Sequence, residues 1–117
     1  MRKLRASKIC ALAMISAPAR SAIVRASFSA SAEQRDEILR IASVIGARGQ
    51  NILITRTNER VFKRVREVLP QAEFNARGRV ISVKFKEPAL TQSYIAIVSA
   101  GTADGAVVEE AYETARF

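Results

Sequence analysis

The sequence predicts an α/β fold, and three observations predict it. From residue 33 onward, segments with helical apolar spacing alternate with short apolar runs of strand length. Gly and Pro fall where one type of segment gives way to the next. Near the end, the nearly unbroken apolar run Tyr94-Ile95-Ala96-Ile97-Val98-Ser99 leads into a small-residue loop and then a helical pattern. That is the order of a strand–loop–helix unit whose strand is covered on both faces.

Residues 1–32 read as a basic leader rather than as part of the fold. They hold Arg2, Lys3, Arg5, Lys8, Arg20 and Arg25 and no acid, so most of the chain's net charge of +8 lies there. The remaining 85 residues carry 13 of the 19 basic and all 11 acidic groups and are nearly neutral. A Ser-, Ala- and Arg-rich segment without acids matches an organelle transit peptide, with mitochondrion or plastid as the destination. A cation-rich amphipathic segment is drawn to anionic surfaces, which acids would oppose. A secretory signal is the second reading, since residues 9–15 form a short apolar core and Ser16-Ala17-Pro18-Ala19 resembles a cleavage site. A plain disordered tail, or a misassigned start to a cytoplasmic protein, is the third. Residues 27–32 close this leader, and the sequence does not fix where a transit peptide would be cleaved.

Each later element has its own reason. Ser31-Ala32-Glu33-Gln34 fits a capping box, and Ile38, Ile41, Ala42 and Ile45 follow at helical spacing. The helix is expected to stop between Gly46 and Gly49. Asn51-Ile52-Leu53-Ile54-Thr55 has strand length and composition. Thr57 or Asn58 can cap a second helix carrying Val61, Val65 and Val68, which Pro70 ends. Ala72 to Phe74 reads as a brief strand. Arg79-Val80-Ile81-Ser82-Val83-Lys84-Phe85 is β-rich, with Gly78 as the turn before it. Lys86 to Gln92 contains Pro88 and reads as a linker. Val107, Val108, Ala111 and Ala115 predict a last helix starting near Asp104.

The loop between the last strand and helix carries the chemistry. Ligands in open α/β sheets sit beyond the carboxyl ends of strands, and a helix N-terminus favours a phosphate. Gly101 allows close backbone approach, Thr102 offers a hydroxyl, and Asp104 can accept bonds from ribose hydroxyls. Asp104 as a simple helix N-cap is the competing reading.

The run Ser99-Ala100-Gly101-Thr102-Ala103-Asp104, with Val107, Glu109-Glu110-Ala111 and Thr114, resembles the start of the catalytic domain of the LarB family. The preceding segment is similar to that family too. It has a helix ending in Gly49-Gln50-Asn51, then Ile52-Leu53-Ile54-Thr55-Arg56, a helix to Leu69-Pro70, and Ala72-Glu73-Phe74-Asn75. LarB proteins are carboxylase/hydrolases of nickel-pincer cofactor biosynthesis, related in fold to the aminoimidazole ribonucleotide carboxylase PurE. The resemblance implies a small α/β N-terminal region over 33–93. After it, 94–117 would be the first βα unit of a PurE-like doubly wound parallel sheet.

The resemblance also implies a substrate, nicotinic acid adenine dinucleotide. The family carboxylates its pyridinium ring with bicarbonate or CO2 and cleaves the phosphoanhydride, giving a biscarboxylated pyridinium mononucleotide and AMP. Carried over, Ser99, Gly101 and Thr102 would bind phosphate, and Asp104 and Glu110 would serve at the sugar or the reacting centre. No cofactor is implied beyond the substrate, magnesium is allowed, and the full-length family implies a homo-oligomer. This sequence departs from the family's pattern in several ways. Gly105 and Ala106 stand where a bulky apolar residue and Pro are usual, and Val108 replaces an Ala. No Cys matches the family's reactive one. The expectation is a truncated family member, inactive alone.

Composition narrows the rest. The 117 residues include no His and one Cys, Cys10, which excludes a disulfide framework, His/Cys zinc sites and His-dependent catalytic units within these residues. No run of about 18 apolar residues predicts a membrane span. Arg56, Arg60, Lys63, Arg64 and Arg66 allow a second reading, a small organellar RNA-associated binding module. Against it, aromatics are few and the run fits a solvated helix face around Val61, Val65 and Val68. Arg56, at a strand end, is placed for a phosphate contact or a surface ion pair. Glu109 and Glu110 are read either as an acid/base pair or as first-turn acids complementing the helix dipole.

Overall fold

A computed structural model describes residues 21–26, 31–87 and 92–117. In chain order the elements are β1 (Ser21–Arg25), α1 (Ala32–Ala47), β2 (Asn51–Thr55), α2 (Glu59–Val68), β3 (Ala72–Asn75), β4 (Val80–Val83) and α3 (Gly105–Arg116). The four strands form one mixed sheet in the order β1-β2-β4-β3. β1 runs parallel to β2, from Ser21 opposite Asn51 to Arg25 opposite Thr55. β4 lies antiparallel to both β2 and β3. The sequence therefore builds an α/β fold, with α1 as the crossover of a βαβ unit.

The core lies where α1 and α2 pack on the sheet. Ile38 and Ala42 of α1 and Val61, Val65 and Leu69 of and after α2 meet Ile52, Ile54, Ile81 and Val83. Residues two apart on a strand share a face, so Ile52 with Ile54, and Ile81 with Val83, form one apolar surface. β2 is buried along its whole length, Leu53 on the opposite face included. A central strand of this kind explains the unbroken apolar run in its sequence. Each fully buried Ile or Val contributes about 1.5–3 kcal/mol relative to exposure.

The caps predicted for α1 and α2 form. Ser31 Oγ accepts from the Gln34 N–H at 3.3 Å while Gln34 Oε1 accepts from the Ser31 N–H at 2.8 Å. After α1, Gly49 takes φ 66°, the left-handed turn that glycine makes at little cost. Asn58, rather than Thr57, caps α2, its Oδ1 accepting from the Val61 N–H at 3.1 Å. Leu69 follows as the C-cap, just before Pro70.

Three expectations are corrected. Ser21–Arg25, assigned by composition to a disordered leader, is an edge strand, and Val24 and Ala26 are buried against the core. Charge and small residues mark an address, but Ala22-Ile23-Val24 also has strand composition, and β2 offers a parallel edge for it. Second, 94–99 does not form a strand. Tyr94, Ile95 and Val98 are 91%, 75% and 90% exposed, and no strand among the described residues pairs with this segment. An apolar run becomes a strand only when a neighbour takes its backbone hydrogen bonds. Third, Glu109 and Glu110 sit beyond the first turn of α3, which holds no acid, so dipole complementarity does not account for them. Cys10, the 9–15 apolar core, residues 16–19 and Pro88 lie outside the described residues.

Candidate functional site

Two turns and a helix face build a cleft of about 810 Å3. Arg56 follows β2, Gly78 and Arg79 end the β3–β4 turn, and Val107, Glu110 and Ala111 face them from α3. Ile95 closes one side. The two backbone turns are joined, the Thr57 N–H donating to the Arg79 carbonyl at 3.0 Å.

Both arginines have left-handed backbones, Arg56 at φ 57° and Arg79 at φ 53°. Few non-glycine residues adopt this region, and each costs about 1 kcal/mol or more. Among the described residues these are the two non-glycine cases, and both line the same cleft.

The third wall is set by one asparagine. Asn75 Nδ2 donates to Glu109 Oε1 at 2.7 Å and to Glu113 Oε1 at 3.3 Å, while its Oδ1 accepts from the Gly78 N–H at 3.0 Å. The same side chain thus shapes the turn and holds α3 against it. Gly78 sits tightly against α3, since a Cβ would stand 3.1 Å from the Glu110 nitrogen and 3.1 Å from Glu109 Cγ, and the helix would have to give by a few tenths of an ångström. Glu109 is therefore a docking residue, and Glu110, half-buried beside it, lines the cleft.

The structure brings together only part of the set that the sequence singled out. Glu110 and Arg56 share the cleft. Ser99, Gly101 and Thr102 are exposed on the segment leading to α3 and do not line it. Gly101 has φ 143°, and a Cβ there would lie 3.8 Å from Asp104 Oδ2, so the Asp104 carboxylate stays close to the loop. Asp104 occupies the N-cap position of α3 but makes no capping hydrogen bond with its side chain. Arg79 had no distinguishing signal in the sequence, because a left-handed arginine looks like any other arginine. Gly78 beside it marked the turn and nothing more.

Two arginines, Arg56 and Arg79, the acid Glu110 and the apolar Ile95, Val107 and Ala111 line the cleft. That suits an anionic ligand with a flat apolar part. Among the described residues no group of three or more His, Cys, Asp or Glu is placed to hold a metal ion. No helix among them is long and apolar enough to cross a membrane. The basic run of α2 is mostly engaged, within α2 and with α1. Lys63 pairs with Glu59 at 3.3 Å, Arg64 with Asp36 at 3.2 Å, and Arg66 lies over the Phe62 ring.

The fold and cleft define a small α/β domain with a mixed sheet and a docked C-terminal helix. Residues 30–86, from before α1 to just past β4, match the family model described as the LarB/PurE-like N-terminal domain. A partial LarB/PurE-like N-terminal domain is therefore present in this chain, and its mixed sheet with packed helices agrees with that family's α/β architecture. No curated protein matches the chain. β1 and α3 lie outside the matched residues.

Proposed function

We propose that this chain supplies nucleotide-binding elements of a LarB-type carboxylase/hydrolase, with nicotinic acid adenine dinucleotide as the ligand. The observation that carries it is order: a LarB/PurE-like N-terminal domain at 30–86 is followed by the Gly101-to-Asp104 loop and a helix bearing Glu109 and Glu110. In this reading 94–117 is the first unit of a PurE-like doubly wound sheet, and the apolar 94–99 segment becomes a strand when another strand pairs with it. Ser99, Gly101 and Thr102 give hydroxyl and backbone donors to phosphate. Asp104, not used as a cap, accepts from ribose hydroxyls. Glu110, which lines the cleft, is the proposed group for exchanging a proton with a ligand. Magnesium, where the reaction uses it, travels with the substrate's phosphates. The residues before Ser21 are an organelle address.

Binding without turnover is the expected behaviour of the 117-residue protein, since it has no His and its one Cys is Cys10, outside the matched domain. Isothermal titration with the dinucleotide should give saturable binding. Incubation with the dinucleotide and bicarbonate should release no AMP by chromatography. Absence of saturable binding overturns the nucleotide reading, and robust AMP release overturns the expectation of inactivity.

A further inference from the structure

We propose that α3 is an electrostatic latch. It docks reversibly on the β3–β4 turn through its charges, and ionic strength sets whether the cleft beside it is closed or open. This device goes beyond the nucleotide reading and does not rest on it.

α3 is held differently from the other two helices. α1 buries Ile38 and Ala42 and α2 buries Val61 and Val65, whereas no residue of α3 is buried. Val107 and Tyr112 of α3 are 67% and 47% exposed. The half-buried positions of α3 are Gly105, Val108, Glu109, Glu110 and Glu113, so three of its five least exposed residues are acids. Gly105, Glu109 and Glu113 recur at every fourth position and share one face.

The surface that receives this face is polar as well. Asn75 Nδ2 donates to Glu109 Oε1 at 2.7 Å and to Glu113 Oε1 at 3.3 Å, bridging two carboxylates one helical turn apart. A Cβ at Gly105 would stand 3.1 Å from Arg77 Nη2, so this guanidinium lies against the first turn of α3. Charge is divided across the contact. Residues 104–116 hold Asp104, Glu109, Glu110 and Glu113 with Arg116 as the one base, while 75–79 hold Arg77 and Arg79 and no acid. Arg116 pairs with Glu113 within the helix at 3.9 Å. Attraction between partly exposed charges is screened by salt, whereas apolar burial is left in place. A helix held by the first and hardly by the second is one that salt releases. Ile95 and α3 form one wall of the 810 Å3 cleft, and Arg56, Gly78 and Arg79 form the other, so release of α3 opens it.

The test is fluorescence energy transfer on the full chain in a Cys10→Ser background. Dyes are carried by Val44→Cys on α1 and Thr114→Cys on α3, both exposed positions. Raising sodium chloride from about 0.01 M to about 1 M shortens the Debye length from about 30 Å to about 3 Å. Over that range the low-transfer population should grow about threefold or more, while β2 and β4 amides stay protected from exchange. Asn75→Ala should enlarge the low-transfer population at low salt. Arg77→Gln and Glu109→Gln remove charge and keep polar groups of similar size. Each should enlarge that population at low salt and flatten its salt dependence. Transfer that ignores salt in the wild type overturns the latch and assigns the docking of α3 to apolar packing. A salt response that both charge-removing variants retain in full overturns it too, as does loss of β2 and β4 protection together with transfer.

Discussion

Asn51 shows how much one side chain can hold. It is buried at the start of β2, and its Oδ1 accepts from the Phe85 N–H at 2.7 Å and the Lys86 N–H at 2.9 Å. Its Nδ2 donates to the Lys86 carbonyl at 2.7 Å. The chain leaving β4 is thereby fastened beside the central strand. Asn51→Ala leaves three backbone groups to find new partners and should cost about 2–4 kcal/mol, read from a urea midpoint. Thr57 predicts the opposite sign. Its hydroxyl is buried without a partner, so Thr57→Val keeps the shape and removes an unmet polar group. Denaturation should show a gain of about 1 kcal/mol. If the variant is less stable, the hydroxyl has a partner in solution. Both residues show a limit of sequence reading. Asn51 read only as the first residue of a strand and Thr57 only as a cap candidate, because their partners lie 34 and 22 residues away.

At the scale of elements, legibility follows the range of the interactions. The capping box of α1, the Asn58 cap of α2 and the stop at Pro70 are local, and all three are written in consecutive residues. β2 was legible because its burial on both faces leaves an unbroken apolar run. The same rule misled at 94–99, where no strand among the described residues pairs with an equally apolar run. The docking of α3 was not legible, since it depends on Asn75 and Gly78 meeting Glu109 and Glu113 across more than thirty residues. It predicts that α3 can be released without unfolding the sheet. Asn75→Ala removes both bonds to α3, and Gly78→Ala forces a Cβ to within 3.1 Å of the helix backbone. Either change should raise amide exchange across 105–116 while the β2 and β4 amides stay protected. Loss of protection in the sheet as well would make α3 part of the cooperative core.

For the whole molecule, the decisive fact is that β1 belongs to the sheet. It completes a βαβ unit with α1 and β2, and the pairing extends past the strand to the Ala26 N–H, which donates to the Thr55 carbonyl at 2.9 Å. Val24 and Ala26 are 4% and 6% exposed, so removing this strand uncovers core side chains as well as the edge of β2. A chain of residues 27–117 should be less stable than one of 21–117 by about 2 kcal/mol or more, from the burial of Val24 and the lost ladder bonds. Its bare β2 edge should also make it prone to aggregate, visible by light scattering. This constrains the proposed address segment. A processing site at 27–32, the end of the basic leader, would cut away β1. Removal of an address without loss of the fold requires the cut to fall before Ser21. Mass spectrometry of the N-terminus after import into isolated organelles reads this directly. A mature chain beginning at or before Ser21 is the expected result. A mature chain beginning within 27–32 and as stable as 21–117 would show that β1 is dispensable to the folded domain.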